Sequence, residues 1–143
     1  MTTMVSDVLA ELPGYVLQRA ANAMLADLTG RLAEIDVRIS DAAVLMQIAG
    51  NSDPTSSEIG RVLTIQRANM APLLARLDKA GWIRRSPLDR KSSALLLTEE
   101  GQAKLEAIRA IITRFEGDLM ARIPQEHRSH FMPALYALWD RPI

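Results

Sequence analysis

Apolar positions in the first quarter of the chain recur at steps of three and four. Leu17, Ala20, Ala21, Met24, Leu28, Leu32 and Ile35 keep that period and predict one long amphipathic helix over 14–35. Ser40 stands where it would cap a second helix over 41–50, which buries Val44, Leu45 and Ile48 and stops at Gly50. Residues 51–54, Asn-Ser-Asp-Pro, read as a turn. Thr55 with Glu58 three residues on is a capping box and opens a short helix that runs to Leu63. A further helix from Arg67 to Ala80 turns Leu73, Leu74, Leu77 and Ala80 inward and ends at Gly81, a residue free to adopt positive φ. The period then switches to two. Residues 82–86 and 93–97 alternate as strands about a turn at 87–90. From Glu99 to Ile123 the helical period returns, with Leu105, Ile108, Ile112, Phe115 and Leu119 forming a heptad-like seam. After Pro124 a final helix would bury Phe131, Leu135, Leu138 and Trp139, with a kink at Pro133.

The resulting order is four helices, two strands and two helices. It predicts a mostly α fold with a small β-hairpin: a winged helix-turn-helix over 41–98, flanked by helices at 14–35 and 99–140, in a single protomer of 143 residues. The two outer helical segments carry more apolar surface than a small hairpin module can cover, which points to a dimer interface between them and a second copy.

Composition narrows the function. An apolar content of 48% suffices for a core, and with 4% aromatics that core is mostly aliphatic. The absence of cysteine removes disulfides, thiol nucleophiles and Cys-ligated zinc. No apolar run is long enough to span a bilayer, and the N-terminus lacks a basic region ahead of an unbroken apolar stretch, so a cytoplasmic location is expected. There is no Gly-rich phosphate loop and no Ser-His-Asp or paired-carboxylate arrangement, so neither enzyme nor cofactor is expected. His127 and His130 are three apart beside Glu126, but two histidines without cysteine do not make a metal site, and surface histidines are the commoner case.

Charge is the feature that changes the picture most. Between residues 61 and 91 eight arginines and lysines stand against two aspartates. The chain has 17 residues of each sign, so what remains is acidic to the same extent that this stretch is basic. A neutral protein is thereby split into a basic module and an acidic remainder, which is a nucleic-acid signal. A B-form major groove is ~12 Å wide and admits one α-helix. The second helix of the pair would enter it with its N-terminal residues Gln66, Arg67, Asn69 and Met70 against base edges. Arg suits guanine, Asn or Gln suits adenine, and Met can pack on a thymine methyl. Arg76 is a candidate phosphate contact, with pairing to Asp78 as the alternative. The hairpin tip exposes Arg90 and Lys91 to an adjacent minor groove or its phosphates. Arg84 and Arg85 fall on opposite faces of their strand, so one at most faces DNA, and Arg84 is the candidate. Asp89 reads as an orienting partner for a neighbouring arginine.

The stretch GWIRRSPLDRKSSALLLTEEG resembles the wing of the MarR family of bacterial transcription regulators, with Gly81, Arg84, Arg85, Asp89, Arg90, Leu97, Thr98 and Gly101 at matching places. LLARLDKAGWI is similar to the end of that family's recognition helix. Two departures stand out: the wing-tip arginine two after the aspartate is Lys91 here, and Pro72 lies inside the recognition helix, where it is expected to bend it. The resemblance implies a homodimer with interlocking terminal helices, a pseudo-palindromic double-stranded DNA operator, and a repressor released by a small aromatic acid or acyl thioester. Tyr15 and Arg19, four apart on the first helix, are the candidate effector contacts. The alternative function is a winged-helix module whose basic hairpin meets an acidic protein partner without DNA specificity.

Overall fold

The chain is described by a computed structural model over residues 4–139. The ends of the expected protomer, 1–3 and 140–143, lie outside the described residues, as does the last position of the 99–140 helical segment. The elements are α1 (Pro13–Ala33), α2 (Ile39–Gly50), α3 (Ser56–Val62), α4 (Arg67–Ala80), β1 (Ile83–Pro87), β2 (Ser93–Leu97), α5 (Glu99–Arg122), a single 3-10 turn (Gln125–His127) and α6 (Arg128–Leu138). This is the mostly α fold with one antiparallel hairpin that the hydrophobic pattern predicts.

Local chemistry explains most of the boundaries. Thr55 caps α3 by accepting from the Glu58 backbone N–H at 3.2 Å, and its hydroxyl donates to the Glu58 carboxylate at 3.0 Å. Gly81 takes φ 80° and closes α4 as a left-handed residue. The start of α2 departs from expectation. Ser40 does not cap it; the carboxylate of Asp41 accepts from the Arg38 backbone N–H at 2.9 Å, and the helix begins at Ile39. Pro72 and Pro133 each remove one backbone donor, yet α4 and α6 run on through them. Between α3 and α4 the turn passes through Thr64 at φ 55°, a costly conformation for a β-branched residue, held by the Ile65 N–H donating to the Gly60 carbonyl at 2.8 Å.

The core gathers α2, α3, α4, the hairpin and the first half of α5. Leu45, Leu77, Leu95, Leu105 and Ile108 are all but inaccessible to solvent. The hairpin pairs Ile83 with Leu97 and Arg85 with Leu95, so the buried Ile83 and Leu95 share the inward face. Its base is fastened to α5 through the residues that carry the family resemblance. Thr98 accepts from the Gly101 N–H at 2.9 Å and so caps α5, while its hydroxyl donates to the Gly81 carbonyl. A side chain on Gly101 would run into the carbonyl of Trp82, so only glycine allows this close approach. The Leu95 N–H donates to the Pro54 carbonyl at 2.8 Å, tying the hairpin to the loop ahead of α3.

The outer helices are less covered. On α5 the expected seam is real: Leu105, Ile108 and Phe115 are buried, and Ile112 and Leu119 are half-buried. Arg31 on α1 bridges Asp27 and Asp118, each at 2.9 Å, and lies over the Phe115 ring, which locks α1 to α5. The final helix corrects an expectation. Phe131 and Leu135 are half-buried, but Leu138 and Trp139 are exposed, because in one chain α6 packs on little beyond the turn before it. No helix among the described residues is long and apolar enough to cross a membrane.

Candidate nucleic-acid interface

Helices α3 and α4 and the hairpin enclose an open groove of about 740 Å³. Arg61 reaches it from α3, Arg67, Ala71 and Asp78 from α4, and Arg85 and Lys91 from the hairpin. The helix-turn-helix therefore presents its second helix and its wing on one side, as the charge pattern suggested. Gln66 is the N-cap of α4 and is exposed, with its side chain making no capping bond. Arg67 and Asn69 are likewise exposed in the first turn. At 100° per residue they fall on opposite flanks of α4, Arg67 toward the groove and Asn69 away from it.

The wing tip is built by Asp89. Its carboxylate oxygen accepts from the Lys91 N–H at 2.7 Å and the Ser92 N–H at 2.8 Å, and those backbone bonds hold its pKa below the ordinary carboxylate value. Asp89 thus orders the turn itself and does not orient an arginine. Arg90 and Lys91 project from that turn, exposed and without a carboxylate partner among the described residues.

Three expected contacts are corrected. Met70 is only 6% exposed; its side chain packs against Gly60, so it belongs to the core that joins α3 to α4 and not to a base-facing surface. Arg76 pairs with Asp41 and not with Asp78. Its Nε donates to Asp41 at 3.1 Å and an Nη donates to the same oxygen, so its guanidinium neutralises a carboxylate that is 3% exposed. Helical phase turns Arg76 to the Asn69 flank, toward the start of α2, where a second depression is lined by Arg38, Asp41, Arg76 and Trp82. Arg84 is exposed but lies on the outer face of the hairpin; Arg85 is the residue on the groove side, where it donates to Asp78 at 3.0 Å. Ile83 decides this, because burying it fixes Arg85 on the same face.

The candidate effector residues are paired locally. The Tyr15 hydroxyl donates to Asp7 at 2.8 Å, a bond that raises the phenol pKa, and the Arg19 guanidinium lies 6.0 Å from the Tyr15 ring. His127 sits 4.0 Å from Glu126 and both are exposed. Among the described residues no three potential ligands gather around a metal position.

A helix pair followed by a hairpin that shares its groove defines a winged helix-turn-helix protein. Residues 35–92 match the sequence model of the MarR family. The regulator PecS of Dickeya dadantii is 32% identical over 81 residues, covering 55% of this chain and 49% of that protein. YwoH of Bacillus subtilis, an uncharacterised HTH-type transcriptional regulator, is 30% identical over 54% of this chain and 57% of its own length. The aligned segment is thus about half the length of these curated relatives. Among solved structures, the transcriptional repressor CouR bound to a 23-mer DNA duplex superposes with a TM-score of 0.84 at 29% identity, covering 94% of this chain and 97% of the other. CouR bound to p-coumaroyl-CoA gives 0.82 at 26% identity, over 94% and 96% of the two chains. The chain is thus similar, over its wing module, to the MarR family, and the relatives named here are transcription regulators.

Proposed function

We propose that this chain is a transcription regulator that binds duplex DNA as a homodimer, entering the major groove with α4 and reaching the neighbouring minor groove or its phosphates with the wing. One observation carries the reading: Arg61, Arg67 and Lys91, from three different elements, line one groove, and none has a carboxylate partner among the described residues. Converging uncompensated cations suit a polyanion. Gln66, Arg67 and Asn69 are the base-reading candidates, and Arg90 and Lys91 the phosphate or minor-groove candidates. The likeness to a DNA-bound repressor supports the same assignment.

The dimer follows from what one chain leaves uncovered. Val16, Leu17 and Leu25 on α1, and Met132, Tyr136 and Leu138 on α6, are all more than two-fifths exposed. Exposed apolar side chains gathered along two outer helices mark an interface. A second copy laid against it would set two α4 helices for successive major grooves of a pseudo-palindromic operator, one turn or ~34–36 Å apart. A small aromatic acid or acyl thioester bound between outer helices and wing module, with Tyr15 and Arg19 as the α1 contacts, would change that spacing and release a repressor in the cytoplasm. It acts through its different affinities for the two arrangements.

The test is fluorescence anisotropy on duplexes selected from a randomised library. Log affinity should fall linearly with log salt, by a slope of ~0.9 for each phosphate contact. The Arg90→Ala, Lys91→Ala pair should flatten that slope, while Arg67→Ala should relax preference at particular bases. Binding that ignores salt and both variants refutes the proposal.

A further inference from the structure

We propose that the outward ridge of α4 reads the C5-methyl groups of thymine by apolar contact, so that the bases facing it are A·T pairs; this rests on the duplex-binding reading above. The buried face of α4 is formed by Met70, Leu73, Leu74 and Leu77. At 100° per residue the opposite side carries Ala68, Pro72 and Ala75, with Ala71 at its groove-side edge, and all four are exposed. The polar residues nearby do not occupy this ridge. Arg67 and Asn69 lie on its two flanks in the first turn, and Arg76 is held by Asp41. Between Ala68 and Lys79 the ridge therefore presents three methyl groups and a proline ring, with no side-chain donor or acceptor.

Such a surface can recognise little in a major groove. Base edges there present nitrogen and oxygen donors and acceptors, and one apolar group, the thymine methyl. Alanine and proline side chains also hold nothing between the helix backbone and the groove floor, so the ridge can approach closely. Close approach then discriminates in two ways. A thymine methyl gains apolar burial, while the polar edge of a G·C pair loses water without gaining a partner. Charge says what occupies the ridge: Arg61, Arg67 and Lys91 line the groove along one flank, and Arg90 stands at the wing tip, so the occupant is a duplex polyanion and not an apolar protein surface.

The experiment uses the full chain and duplexes enriched from a randomised library. Each thymidine of an enriched duplex is replaced in turn by deoxyuridine, which removes the methyl and leaves the hydrogen-bonding edge intact. One or two replacements in each half-site should weaken binding about 3- to 5-fold apiece, the loss expected for one buried methyl, with the remainder neutral. Ala71→Gly removes the methyl on the protein side; it should erase the penalty at one of those thymidines and leave the salt dependence unchanged. Undiminished affinity for a duplex with every thymidine replaced overturns the inference while leaving DNA binding intact. Failure to enrich any duplex overturns the DNA-binding reading, and the inference with it.

Discussion

Leu77 on α4 and Leu138 on α6 obey the same helical period, yet the first is wholly buried and the second is 70% exposed in a single chain. The contrast extends to their surroundings. Around Leu77 the helix pair, hairpin and first half of α5 close a continuous aliphatic core that includes Leu45, Leu95 and Leu105. Along α6 no residue is fully buried. An apolar stripe states that a face is to be covered but not which chain covers it. The wing module finds its cover internally, whereas the apolar faces of the outer helices stay exposed in a single chain.

The largest expected effects break this contrast directly. Leu77→Ala should destabilise the fold by about 2–5 kcal/mol, the range for truncating a buried leucine, whatever the protein concentration. Leu138→Ala should stay within about 0.5 kcal/mol if α6 faces water. In the proposed homodimer it should instead shift a monomer–dimer equilibrium, seen by sedimentation velocity across a dilution series. Identical sedimentation of Leu138→Ala and the parent chain would remove α6 from the interface. Next in size is Gly101→Ala, which forces either α5 or the Trp82 carbonyl to move. A loss of about 1–3 kcal/mol is expected in chemical denaturation, as for other overpacked sites. An unchanged midpoint would show that the joint between wing and α5 is looser than its geometry suggests.

The wing module was legible because its signals are local. The Thr55–Glu58 pair, the Gly81 stop and the strand alternation around residue 88 each specify a neighbour a few positions away, and each holds. What could not be read were contacts between residues distant in sequence. Arg76 meets Asp41 across 35 positions, and nothing in the period of α4 announces a buried carboxylate on α2. Met70 looked like a groove residue because it sits in the first turn of α4, but its helical phase is that of Leu73, Leu74 and Leu77. Helical phase, and not place in the first turn, decides which way its side chain faces. For Arg84 and Arg85 the signal was also present, since an apolar Ile83 must share its face with Arg85. The exposure of Leu138 was not readable, because periodicity is the same whether the cover is the same chain or another.

A smaller effect separates cations that support the fold from those that await a ligand. Arg76→Ala leaves Asp41 buried without its partner and should cost about 2–3 kcal/mol of stability, somewhat below the usual figure for a broken buried pair because the guanidinium is itself one-third exposed. It should leave the salt slope of DNA binding unaltered. Lys91→Ala should do the reverse, with no change in melting temperature and a slope lower by ~0.9. If Arg76→Ala flattens the slope while stability holds, the guanidinium contacts phosphate after all and the ion pair with Asp41 is incidental.

The smallest effect concerns the wing tip and its pH dependence. Asp89 has a lowered pKa because its ionised carboxylate accepts from the Lys91 and Ser92 backbone N–H groups, bonds that weaken when it is protonated. A depressed pKa in the folded state means that the contribution is present above the unfolded carboxylate value and is lost as pH falls through the folded one. The turn should therefore loosen only in acid, well below neutrality, with the hairpin stem and core intact. Amide shifts of Lys91 and Ser92 followed by NMR against pH should report a single titration below the ordinary aspartate value, absent in Asp89→Ala. Because Arg90 and Lys91 ride on this turn, Asp89→Ala should also weaken DNA binding at neutral pH by a few-fold, an ordering penalty and not a lost contact. Were the two amides to titrate at the value of a free aspartate, the carboxylate would not be holding the turn, and the wing tip would join the outer helices as a region that takes its final form only against a partner.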